Sequence, residues 1–322
     1  MAFSHGPSRR TITALVGAFL VSVNAAAAAS CRVIDATADF WPLVDRLAEA
    51  TPAEQAAAFR EDVIARFPEL YTRDVLGTDD SRQLDKEAVA TLAAARRNRM
   101  HARQTERTLV REIPDYIARF RKSFPDFHCD FPIYLMVSLG HMDGAGRVVG
   151  ASPALVLGVE MIDRIETPAQ IPVFFAHELF HRYNYRVAGF SDDPGDRQPI
   201  WRTLWAEGLA TYVSAELNPD RPLSDAMIFP PDLAERAAPQ IEGLARALRD
   251  NDAPNPSLYA DYFEMGSRKN GSPPRAGYYV GYRVASLAAR EYSLYRLAHL
   301  RGPALHRDIN RWLDELVSGK GG

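Results

Sequence analysis

The stretch AHELFHRYNY at residues 176–185 sets His177 and His181 four positions apart with Glu178 between them. In a helix, residues four apart share a face and lie about 6 Å apart along the axis, so both imidazoles can point at one ion. Glu178, one step round, can reach a water on that ion without ligating it. This is the HExxH arrangement, in which two histidines bind a metal and the glutamate acts as general base. The requirement constrains the fold strongly: the segment must be helical, and a second element must complete the site. Upstream, Thr167-Pro168-Ala169-Gln170 has a capping-box pattern, with Pro172 moving the helix start a few residues later.

A catalytic metal of this kind takes a third protein ligand and leaves one position open. A further histidine six residues after His181 would supply it in one known arrangement, but that position is Val187. Beyond a loop rich in Gly, Asp and Pro comes PIWRTLWAEGLATYVSAELNP, a second helix bounded by Pro199 and Asn218-Pro219. Trp201, Leu204, Trp205, Leu209, Tyr212 and Val213 surround one acid there, Glu207. A carboxylate among so many apolar groups must be paired or metal-bound, because burying it alone costs too much. The bland reading, two ordinary histidines on a core helix, leaves that placement of Glu207 without a reason. Asp192, Asp193 and Asp196, in the loop between, read as turn formers beside Pro and Gly.

HELFH followed by WAEGLATYV resembles the gluzincin zinc peptidases, in which a glutamate on the next helix completes HExxH. The length, the two apolar runs before the motif and the late PRAGYYVGYRVA are most similar to a group of bacterial predicted zinc-dependent proteases. The resemblance spans roughly residues 131–290. It implies Zn²⁺ as cofactor, His177, His181 and Glu207 as its ligands, Glu178 as base and a peptide or protein as substrate. It also implies a tyrosine in a Y-x-x-G pattern as oxyanion donor, a role Tyr278 fits, with Tyr279 and Tyr282 as competitors. Two positions depart from related branches. The G-x-M-E-N segment of aminopeptidases is replaced by GVEMI at 158–162, and the acid that thermolysin-type enzymes carry four residues after the ligand glutamate is Thr211.

The remaining chain sets the frame. Arg9 and Arg10 precede an apolar run of about a dozen residues and an Ala-rich exit, the pattern of a secretory signal peptide over 1–29. Export to a periplasm or beyond is the expectation, and the apolar run is too short for a membrane span in the mature chain. Cys31 and Cys129 are the two cysteines and can pair in an oxidising compartment. The competing reading, lipid attachment at Cys31, lacks the expected Leu three residues earlier. A net charge of −3 gives no basic field for nucleic acid.

Residues 30–125 read as a helical region. At 126–322 the texture changes to two strand-length runs, FPIYLMVSLG and SPALVLGVEMI, joined by a loop at HMDGAGRVVGA and followed by helices. The expected fold is mostly helical α+β, with a small sheet packed on the HExxH helix, an N-terminal helical layer and C-terminal helices. Two functions are consistent with the sequence: an exported zinc peptidase, or a non-catalytic periplasmic binding or scaffold protein on a peptidase-like core. Intact Glu178, which no packing need protects, favours the first.

Overall fold

Two short, nearly continuous apolar runs decide the architecture. In a computed structural model describing residues 1, 31–190, 195–251, 253–265 and 271–320, these runs become β2 (Ile133–Met136) and β4 (Ser152–Gly158). The signal-peptide segment, together with Asp192 and Asp193, lies outside the described residues. β1 (Val33–Asp35) pairs parallel with β2, β2 pairs parallel with β4, and β3 (Gly144–Val149) closes the sheet antiparallel to β4, in the order β1-β2-β4-β3.

Both faces of this sheet are covered. Ile133, Leu135, Leu155 and Leu157 enter one hydrophobic core, while Met136, Ala154 and Val156 enter another. A strand buried on both sides reads as a continuous apolar run, which is why β2 and β4 were visible in the sequence.

The segment 141–151, expected to be a loop, is largely β3. Its glycines and Arg147 hide the alternation, and pairing with β4 fixes it as an edge strand.

The second core lies under α1 (Phe40–Arg46), α2 (Pro52–Asp62) and α3 (Arg73–Leu76). A long helix α4 (Ser81–Ser123) runs through both cores, losing helical geometry at Asn98. Its first half supplies Leu84 and Leu92 to the second core, and its second half supplies Leu109, Ile113, Ile117 and Phe120 to the first. Residues 30–125 and 126–322 therefore share their cores. Cys31 and Cys129 are bonded, tying the start of β1 to the chain just before β2.

After β4 come α5 (Val159–Ile165), α6 (Ile171–Ala188) and α7 (Ile200–Glu216). Thr167 donates from its backbone N–H and its hydroxyl to Gln170 Oε1, and α6 begins at Ile171, past Pro168. The chain then forms α8 (Leu223–Ala226), α9 (Leu233–Ala237), α10 (Ile241–Arg249), α11 (Pro256–Phe263), α12 (Ala276–Ala288), α13 (Leu294–Ala298) and α14 (Gly302–Val317). No helix among the described residues is long and apolar enough to cross a membrane.

Helices α7 and α12 meet backbone to backbone. A Cβ on Gly208 would lie 2.1 Å from the Gly281 carbonyl carbon, and one on Gly281 would lie 2.4 Å from Leu204 O. Neither neighbour is a side chain that could swing aside. Gly208→Ala should therefore destabilise the fold by about 1–3 kcal/mol or more in chemical denaturation. Gly243→Ala, where nothing lies within 4 Å, should be neutral or stabilising; equal effects at the two positions would remove the contact from the account. In the chain-entropy account, losing the disulfide should cost about 4–5 kcal/mol. An unchanged denaturation midpoint in dithiothreitol would contradict it.

Candidate metal centre

The four-residue spacing brings His177 and His181 to one face of α6, their Nε2 atoms 3.0 Å apart. Glu207, on α7, sets its Oε2 3.4 Å from His177 Nε2 and 3.3 Å from His181 Nε2. Three ligand atoms thus converge from two helices, a group able to hold a metal ion. The histidines are 2% and 8% exposed. Ring contacts orient them: Tyr278 stacks on His177 at 6.3 Å and 20°, and Tyr185 lies 5.6 Å from His181. Among the described residues neither Nδ1 has a hydrogen-bond partner. The hydroxyl of Thr211 donates back to Glu207 O at 2.7 Å, so it serves its own helix.

Charges in the cluster depend on one another. Burial lowers the His177 pKa to about 4, leaving a neutral imidazole, the ligating form. Burial works in the same direction on His181, but the Glu207 carboxylate outweighs it and raises that group. Burial alone would raise Glu207, yet the two imidazoles hold it well below the usual carboxylate range. Glu178, half-buried beside them, is pushed up to about 7, first by burial and then, against the pull of His181, by Asp143 and Glu207.

These groups line a cleft of about 950 Å³. One wall is the free edge of β3, with Gly144, Ala145 and Gly146, and the rim includes Arg73 and Asp74 of the N-terminal layer. A Cβ at Gly144 would fall 2.7 Å from Phe174 Cζ and 2.8 Å from Glu178 Cγ, whereas one at Gly146 would meet the mobile end of Arg182, Nη1 at 2.8 Å. The opposite side carries Tyr259, Arg275 and Tyr278.

Of the three candidate tyrosines, the structure places Tyr278 in the cleft. Tyr279 is buried in the core with its hydroxyl 3.4 Å from Arg283, and Tyr282 packs on Tyr212. Asp196, read as a turn former, sits in a single 3₁₀ turn that also lines the cleft. His141, a lone loop histidine, bonds to Glu87 and does not line the cleft.

The sequence reading missed Arg147 on β3, Tyr259 on the short helix α11 and Arg275 just before α12. It also missed Glu166, 4% exposed, whose carboxyl burial and nearby Asp143 push to about 8. Comparison with protein-family models, with curated proteins and with solved structures finds no match.

The geometry sets a graded expectation for metal binding. His177→Ala and His181→Ala should abolish stoichiometric zinc retention after dialysis. Glu207→Ala should weaken it by more than the roughly 10–100-fold typical of losing an outer partner. Wild-type zinc affinity in Glu207→Ala would show that the third ligand is a different group.

Proposed function

We infer that the chain is a zinc-dependent metallohydrolase that cleaves peptide bonds, and that it acts after export. The observation carrying this reading is the convergence of His177, His181 and Glu207 with Glu178 beside them at the foot of an open cleft. Two neutral-type nitrogens and one carboxylate are the donor set of catalytic zinc, harder than a thiolate site and softer than an all-oxygen one. Zinc held there supplies a Lewis acid and makes water a nucleophile near neutral pH.

The chain's own groups perform the rest. Glu178, whose carboxyl sits near neutrality, accepts a proton from the attacking water and can return it to the leaving amine. Tyr278 is the donor placed to hydrogen-bond the oxygen on which charge develops; burial keeps its phenol protonated well above the usual range, against the opposing Arg275.

The substrate class follows from the wall of the cleft. Among the described residues β3 pairs with a strand on one side only, and although Asp143 and Arg147 occupy Gly144 N–H and Gly146 O, the rest of its outer edge offers backbone groups to an extended peptide laid beside it. Support for export comes from the leader pattern at 1–29 and from the bonded cysteines, which suit an oxidising compartment.

Glu178→Gln should leave zinc content near wild type while lowering turnover of internally quenched peptides by about 10²–10⁴. Tyr278→Phe should lower kcat by about 10²–10³ with KM little changed, and Tyr279→Phe should resemble wild type. A zinc-loaded wild type that cleaves no peptide in the panel would defeat the peptidase reading. A large loss in Tyr279→Phe would move the donor role.

A further inference from the structure

Three arginines line the cleft, and each is held by other groups of the protein. Arg73 pairs with Asp79 at 2.6 Å, and Arg147 donates to Val75 O and Gly146 O, both at 2.9 Å. Arg275 Nη1 donates to Phe229 O at 3.0 Å, and its guanidinium lies 3.9 Å from the centre of the Tyr278 ring. Among the described residues no carboxylate stands within ion-pair distance of it. Burial opposes its charge, but Tyr278, and then Glu207 and Asp143 through longer-range charge, outweigh burial and favour the cation.

The backbone that carries this partly buried cation is strained. Arg275 has φ +59°, in the left-handed region that side chains other than Gly, Asn and Asp rarely adopt. Ile228, also in the cleft wall, has φ +61° and is one residue from the carbonyl that holds Arg275. Two of the three non-glycine positive-φ residues among the described residues are therefore joined through this one hydrogen bond. Strain of this kind persists where the surrounding structure imposes it, and it clusters at ligand clamps. Here it fixes a guanidinium that lines the cleft, held by the Phe229 carbonyl and the Tyr278 ring.

We propose that Arg275 forms a carboxylate-binding subsite that selects peptides carrying an anionic group close to the bond cut. The forked donors of a guanidinium match a carboxylate in two parallel hydrogen bonds. Stacking on Tyr278 fixes the plane of that fork, and Tyr278 in turn stacks on His177. At roughly 3.3 Å per residue, those two contacts separate the subsite from the metal centre by at most about three residues of extended chain. The anion can be the substrate's own C-terminal carboxylate or an acidic side chain, the same chemistry from two sources. This subsite rests on the peptidase reading for its purpose, but its occupancy does not require turnover.

The test is therefore equilibrium binding to the full chain in the presence of EDTA, by calorimetry. The probes are an N-acetylated alanine tetrapeptide with a free C-terminus, its C-terminal amide, and the amide carrying one internal Glu. Wild type should bind one or both anionic peptides about tenfold tighter than the neutral amide. A preference for the free acid identifies the C-terminal carboxylate, and a preference for the Glu peptide identifies the side chain. Arg275→Gln should erase the preference, and Arg275→Lys, which keeps charge but loses the fork, should retain part of it. Equal binding of all three peptides to wild type, no binding of any, or an undiminished preference in both variants would overturn the proposal. Zinc content and turnover, measured separately, test the hydrolase reading, so the two can fail apart.

Discussion

The site depends on the contact between Gly208 and Gly281. Glu207 directly precedes the first of these glycines, and Tyr278 stands one turn before the second, so the separation of α7 and α12 sets the position of both side chains. Any side chain at either glycine would hold the helices apart. With no side chain between them, the two backbones approach and Glu207 faces the histidines of α6, while the Tyr278 ring reaches His177. The glycines in WAEG and YYVG thus act through packing: they bring Glu207 and Tyr278 to one place.

Once assembled, the cluster has an electrostatic problem that only its own members solve. A carboxylate and two imidazoles leave water together, and burial opposes every charge among them. Mutual attraction keeps Glu207 ionised, whereas Glu178 and Glu166, with weaker compensation, are pushed toward neutrality. With no partner for either Nδ1 among the described residues, orientation of both histidines falls to Tyr278 and Tyr185, ring against ring.

Much of this was legible in the residue order. His177, His181 and Glu207 announced themselves because helical spacing converts sequence distance directly into geometry, and the apolar surroundings of Glu207 demanded a partner. Tyr278 could be narrowed only to three tyrosines, since a sequence gives the angle between neighbours but not which angle faces the cleft. Packing resolves it, with Tyr279 turned into the core and Tyr282 onto Tyr212. Arg275 left no trace at all: its role comes from a left-handed backbone after Pro273-Pro274, and from a carbonyl 46 residues away in the chain.

Strand β3 shows why the remaining part was hidden. Gly144 and Gly146 depress strand propensity and interrupt the alternation by which a strand is recognised, so the segment looked like a turn. The same two positions face α6, where Glu178 and Arg182 occupy the space that side chains would fill. A strand with ordinary β-branched residues there would have been easy to read and would have pushed the general-base candidate away from the cleft. The sequence signal was sacrificed at the point where the edge strand and the HExxH helix must touch, and local propensity and function pull in opposite directions at that point.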